Sequence, residues 1–127
     1  MPEISVILST ARDDYSIIGC PDLHVLAPTL MSLEYQKFKD FELIIVDALY
    51  PKRKEWIETF DFSYPIKYVP PHPNHSFWIK HKRWNVAGML NTALLYAEGE
   101  LVVRIDDASE FDDDFLLKMW EGYQSGF

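Results

Sequence analysis

The sequence predicts an α/β fold, a mostly parallel central sheet with helices on both faces. Three observations carry this expectation. The chain has 127 residues, the size of one ordinary domain. Short apolar runs end abruptly at polar residues, as buried strands do. Segments with helical apolar spacing separate those runs in the order β-α-β-(α)-β-α-β-α, which favours parallel pairing.

Ile4-Ser-Val-Ile-Leu-Ser9 reads as the first strand, feeding the polar stretch Thr10-Ala-Arg-Asp-Asp14. Residues 13–24 hold Gly19 and Pro21 and are expected to form a loop. Leu26, Leu30 and Leu33 fall at i, i+4, i+7, which predicts a helix from about Leu26 to Phe38 with Pro28 in its first turn. Phe41-Glu-Leu-Ile-Ile-Val-Asp47 is a second strand ending in a carboxylate. Pro51 and Lys52-Arg-Lys54 lead into a short segment around Trp56, Ile57 and Phe60. Ile66-Lys-Tyr-Val69 is a weaker strand, stopped by Pro70-Pro71 and a loop with His72, Pro73 and His75. Val86, Met89, Leu90, Ala93, Leu94 and Ala97 predict a helix over 84–97, with Gly99 as its stop signal. Leu101-Val-Val-Arg-Ile105 is a strand running into Asp106-Asp107. A last amphipathic helix carries Phe115, Leu116, Met119, Trp120 and Tyr123.

Composition narrows the function classes. Apolar residues at 48% and charged residues at 25% are globular values, which excludes wholesale disorder. Aromatics at 15% supply large buried areas or stacking surfaces. Twelve basic against twenty acidic residues give a net charge of −8, which argues against a nucleic-acid partner held by charge. With Cys20 alone, neither a disulfide framework nor a thiolate metal site can form, and Cys20 reads as a packing or loop residue. The longest apolar runs are too short to cross a bilayer, and Met-Pro-Glu-Ile lacks a signal-peptide core. A soluble, cytoplasmic protein without a transmembrane segment is expected.

Ligands of open α/β sheets bind beyond the carboxyl ends of the strands. Ser9-Thr10, Asp47 and Asp106-Asp107 are predicted to converge on that edge. Adjacent carboxylates repel unless a cation neutralises them, and a divalent ion with oxygen ligands does so. The alternative is a solvated acidic loop, since six of the nine residues from 106 to 114 are acidic. Lys80-His-Lys-Arg83, just before the 84–97 helix, could face such a pocket and hold a diphosphate, or form an ordinary solvated helix start. His72, His75 and His81 lack a zinc-like spacing. No G-x-G-x-x-G and no Walker A sequence occurs, which argues against a dinucleotide cofactor or a P-loop ATPase.

Four stretches together carry a resemblance: Ile4 to Thr10; Leu30-Met-Ser-Leu-Glu-Tyr-Gln36 running to Phe41–Asp47; Ala87-Gly-Met-Leu-Asn-Thr-Ala93 with Ala97-Glu-Gly-Glu100; and Arg104-Ile-Asp-Asp107 followed by Asp114-Phe-Leu-Leu-Lys-Met119. In this order and spacing the chain resembles the N-terminal, nucleotide-binding half of family-2 glycosyltransferases with the GT-A fold. The resemblance implies a Rossmann-like donor-binding domain over 1–127, and transfer of a sugar from a nucleotide-diphosphate donor to the hydroxyl of a saccharide, lipid or protein acceptor. It implies nucleotide-sugar contacts from Ser9, Thr10, Arg12, Asp47, Lys80, Arg83 and Asp106. It gives Asp107 as the direct ligand of Mn²⁺ or Mg²⁺, with Asp106 as ribose or outer-shell contact and a share in the metal site.

The departures are specific. Ala48 stands where the family carries a second acidic residue, and Ala108 makes the acidic motif Asp-Asp rather than Asp-x-Asp. The family's general base lies well past the metal motif, so it and the acceptor half are expected beyond Phe127, and the chain reads as a piece of a longer transferase. The rival readings are a nucleotidyltransferase, which would want glycines in the Thr10–Asp14 loop, and a non-catalytic nucleotide-sugar-binding or structural fragment.

Overall fold

The computed structural model describes residues 1–11, 22–72 and 86–126, without the side chains of 22–25 and of Lys52. Four strands, β1 (Ile4–Thr10), β2 (Phe41–Asp47), β3 (Ile66–Val69) and β4 (Leu101–Ile105), form one sheet in the order β3-β2-β1-β4. Every pairing is parallel, with Ile4 opposite both Phe41 and Leu101, and Leu43 opposite Ile66. The helices are α1 (Asp22–Glu34), α2 (Tyr50–Glu58), α3 (Val86–Tyr96) and α4 (Phe115–Gln124). The expected α/β architecture is observed.

The pleat explains why both faces of the two central strands are covered, while the outward face of β4, with Val102 and Arg104, is exposed. Ile4, Val6 and Leu8 of β1 point to one side, where they meet Leu26, Leu30 and Leu33 of α1, Ile57 of α2, and Leu116 and Trp120 of α4. Ile7, Ile44 and Val46 point to the other side and pack on Met89 and Ala93 of α3. The central strands β1 and β2 are therefore mostly apolar, because almost none of either face reaches water.

Helix α1 corrects the sequence reading at both ends. It begins at Asp22, inside the expected loop, and ends at Glu34, short of Phe38. Pro28 is its seventh residue rather than a first-turn residue. An interior proline costs roughly 3 kcal/mol. Leu26, Leu30 and Leu33 are each fully buried, and each contributes roughly 1.5–3 kcal/mol, so the packed face outweighs the proline. The apolar spacing located the buried face correctly but not where the helix starts.

Aromatic residues shape the α2–β3 connection. Rings of Trp56, Phe60, Phe62, Tyr64 and Phe41 follow one another at centroid distances of 4.9, 5.1, 5.2 and 5.0 Å. The Tyr64 hydroxyl donates to the Leu30 carbonyl at 2.8 Å, which ties this ladder to α1. Among the described residues, no helix is long and apolar enough to cross a membrane.

Candidate functional site

The carboxyl ends of all four parallel strands share one edge, as the sequence predicts. Running from β1 to β2 to β3 the sheet grows one way, and β4 returns to the far side of β1. The β1/β4 boundary is thus the point where strand order reverses, the usual place for a ligand crevice. Leu8 lies opposite Ile105, so continuing the register sets Ser9 beside Asp106 and Thr10 beside Asp107. An open cleft of about 380 Å³ sits there, lined by Ser9, Val86, Arg104, Asp106, Asp107, Ala108 and Ser109. Val86 is the first residue of α3, so this wall is the start of that helix.

The two adjacent aspartates have different surroundings. The Asp106 side chain is 72% exposed, and Arg104 Nη2 approaches its Oδ1 at 3.4 Å. Asp107 is only 5% exposed. Thr10 Oγ1 donates to Asp107 Oδ2 at 2.8 Å. Helix α1 holds the backbone of the same turn: Thr29 Oγ1 donates to the Asp107 carbonyl at 3.3 Å and accepts from the Ser109 amide at 3.2 Å. Farther along, buried Gln36 donates to the Asp112 carbonyl at 2.6 Å and accepts from the Leu116 amide at 3.0 Å. That last bond satisfies one of the amides left open at the start of α4. The acidic segment is therefore ordered by α1, not merely solvated.

Asp47 sits one strand away. It is fully buried, as is the Arg53 side chain at 4% exposure. Its Oδ1 accepts from the Leu49 amide at 2.8 Å, and its Oδ2 accepts from the Tyr68 hydroxyl at 2.7 Å, with Arg53 Nε at 3.4 Å. Burial, then the neighbouring Asp47 charge and hydrogen bond, push the Tyr68 hydroxyl's pKa far up, so it stays protonated and donating. The Ala48 amide donates to the Thr10 carbonyl at 3.0 Å, joining this corner to β1.

Of the residues expected at the site, the structure brings Ser9, Asp106 and Asp107 to the cleft wall. Thr10 and Asp47 stand at the same sheet edge with no exposed surface, and neither lines the cleft. Arg12, Lys80 and Arg83 lie outside the described residues, as do Cys20, His75 and His81. His72 is exposed, its Nε2 3.0 Å from the Tyr96 hydroxyl. Sequence reasoning missed Arg104 as a cleft residue. The available signal was its position two residues before Asp106 on a strand, which puts both on one face. It also missed Thr29 and Gln36, whose roles depend on α1 packing beside a distant loop. Among the described residues, no group of three His, Cys, Asp or Glu side chains gathers to enclose a metal ion. Asp106 and Asp107 supply a pair of hard oxygen donors, which suits an ion that completes its shell with phosphate and water.

Known proteins share this fold. Curated protein sequences give no match. Among solved structures, Staphylococcus aureus TarS residues 1–349 superposes with a TM-score of 0.70 at 21% identity, covering 97% of this chain and 32% of that one. A second TarS structure gives a TM-score of 0.66 at 20% identity, covering 97% of this chain and 20% of that one. TarS 1–349 in complex with UDP gives 0.63 at 19% identity, covering 97% and 32%. These likenesses show the fold, and the chain spans about a third or less of those proteins' length. The sequence profile of glycosyl transferase family 2 matches residues 22–127, from the first residue of α1 through β2, β4 and the acidic turn. A match over that span, on a parallel sheet whose paired aspartates close the crevice, places the chain in glycosyl transferase family 2.

Proposed function

We propose that this chain binds the nucleotide diphosphate of a sugar donor at the β1/β4 cleft, as the donor half of a glycosyltransferase. The observation that carries the reading is the cleft itself: paired aspartates and one arginine at the strand-order reversal. Family membership and the UDP complex of a protein with this fold support it. The span of one third of TarS 1–349 supports a donor half whose acceptor, a saccharide, lipid or protein hydroxyl, binds elsewhere.

In this reading Asp106 and Asp107 hold Mn²⁺ or Mg²⁺. The ion supplies charge stabilisation on the departing nucleotide diphosphate. Asp106 is the more exposed of the two, and Asp107 lines the cleft from a nearly enclosed position. Arg104 brings the positive charge that a diphosphate needs once Asp106 is engaged elsewhere. Ser9 lines the cleft beside Asp106, where a ribose or phosphate oxygen can accept a hydrogen bond from its hydroxyl. Asp47 is not required by this reading, since its oxygens already serve Leu49 and Tyr68.

Calorimetric titration of nucleoside diphosphates with and without Mn²⁺ tests it. The expected result is Mn²⁺-dependent binding that Asp106→Asn and Asp107→Asn each weaken at least about tenfold. Metal-independent binding that both variants retain would remove the aspartates from the site.

A further inference from the structure

We propose that Thr10 is a positioning residue: its buried hydroxyl holds the Asp107 carboxylate in the orientation that a metal–diphosphate ligand meets. The proposal rests on the donor-site reading and extends it. Ile4, Val6, Leu8 and Thr10 point to the same face of β1, and the first three are purely apolar core residues. Thr10 is equally enclosed, at 0% exposure. A hydroxyl there is costly unless it is bonded, and valine would have the same shape without that cost. The hydroxyl is bonded to Asp107 Oδ2 at 2.8 Å. Being β-branched on a strand, Thr10 has few rotamers, so its Oγ1 is a fixed point.

The backbone of Thr10 is fixed too. Its carbonyl accepts from the Ala48 amide at 3.0 Å, and β1 is paired on both sides. On the other side of the contact, Thr29 holds the Asp107 carbonyl at 3.3 Å. Main chain and carboxylate of Asp107 are therefore anchored independently, the first by α1 and the second by β1. The bond from Thr10 restricts how the Asp107 carboxylate can turn, so a cation meets fewer of its orientations. Such a partner behind a metal ligand is worth about tenfold to a hundredfold in metal affinity. Thr10 acts through Asp107 and makes no contact with the nucleotide.

The test uses the 127-residue chain with Thr10→Val, which removes the hydroxyl, and Thr10→Ser, which keeps it. Uridine diphosphate is titrated with and without Mn²⁺, Mn²⁺ is titrated alone, and the melting temperature is recorded for each variant. The expected result is a loss of about tenfold or more in both Mn²⁺ affinity and Mn²⁺-dependent nucleotide affinity for Thr10→Val, with recovery in Thr10→Ser. Metal-free nucleotide affinity stays unchanged in all three. If Thr10→Val does not fold, Thr10→Ala against Thr10→Ser carries the same comparison. A Val variant that binds as tightly as the wild type overturns the positioning role alone. So does one that loses metal-free affinity equally, because that is a general structural defect. A wild-type chain with no Mn²⁺-dependent binding overturns the donor-site reading, and this proposal with it.

Discussion

The Gly99 amide donates to the Ser5 hydroxyl at 2.7 Å, at the end of the sheet away from the cleft. The chain between α3 and β4 lies so close to β1 that a side chain at 99 has no room. A Cβ there would sit 2.5 Å from the Ser5 nitrogen and 2.7 Å from the Ile4 carbonyl carbon, both backbone atoms of a central strand. Gly99→Ala is therefore expected to destabilise the fold by about 1–3 kcal/mol, the usual range for forcing extra volume into a packed site. Denaturant titration measures it. An unchanged midpoint would mean that the 97–100 turn can move away without cost.

The same corner carries an ionic network with a predictable pH response. Lys67 Nζ lies 2.8 Å from Glu42 Oε2 and 3.5 Å from Glu98 Oε2, while Ser5 donates to Glu42 Oε1 at 2.7 Å. Burial pushes the Glu42 pKa up, but the bonds from Lys67, Ser5 and the Glu98 amide more than offset it, leaving it below the ordinary 4.5. A depressed carboxylate adds stability that is present above 4.5 and lost as pH falls through the lower folded value. Chiefly through its bond to Glu42, Lys67 is raised above 10.5, so its contribution is complete below 10.5 and lost as pH rises through the higher folded value. Glu42→Gln should be less stable than the wild type at neutral pH, and the gap should close in acid. Thermal melts across pH 2–7 decide it, and a gap that stays constant would count against the linkage.

Gln36 is the next test, because one buried side chain joins α1 to both the acidic loop and α4. Besides its bonds to Asp112 and Leu116, it donates to the Ser32 carbonyl at 3.1 Å. Gln36→Leu keeps the volume and leaves the buried Leu116 amide without that partner, and an unsatisfied buried group costs about 1–3 kcal/mol. Lower stability together with weaker nucleotide binding is the expected outcome, since the loop begins at the cleft. Full stability in the variant would show that water replaces the glutamine.

Much of this architecture is legible in the sequence for a physical reason. Buried parallel strands are mostly apolar, so Ile4–Leu8 and Leu43–Val46 stand out, as does Leu101–Ile105 although one face of it is open, and the polar residues that end these runs mark the functional edge. The start of α1 is less legible. Its leucines report where the helix is buried, while Asp22 after Pro21 is a local start signal that the spacing rule ignores. The surroundings of Asp47 are illegible from neighbours alone. A carboxylate at a strand end looks the same whether it faces a ligand or an enclosed arginine, and Arg53 and Tyr68 reach it only through the α2 turn and β3. The contrast between Asp106 and Asp107 follows from the pleat, but Thr10 becomes the partner only once β1 and β4 are known to be neighbours.

Arg104 shares the outward face of β4 with Asp106, and its charge has two possible partners in the cleft. Without ligand it faces Asp106 at 3.4 Å, an exposed pair contributing roughly 0–1 kcal/mol. Arg104→Ala should therefore leave stability nearly unchanged while weakening nucleoside diphosphate binding, and the loss should shrink as salt is raised. Arg104→Lys should recover part of the affinity, since it restores the charge but not the planar fork. Titrations at low and high ionic strength check this. Equal affinity of Arg104→Ala and wild type at low salt would leave the arginine as a surface charge only.

Asp47 separates two meanings of a carboxylate at a strand end. If it recognised the base, Asp47→Asn would change the ranking among uridine, guanosine and adenosine diphosphates and leave folding intact. The structure favours the opposite. Asp47 is enclosed, accepts from Tyr68 and Leu49, and lies 3.4 Å from the buried Arg53. Removing its charge takes a carboxylate from beside the buried Arg53 guanidinium, and breaking a buried pair costs about 3–5 kcal/mol. Pairing Asp47→Asn with Arg53→Met should restore part of that loss, because the two side chains are in contact and their effects are coupled. The expected pattern is a large drop in denaturant midpoint for Asp47→Asn, partial recovery in the double variant, and an unchanged nucleotide ranking in both. A shifted ranking at undiminished stability would place Asp47 against the base.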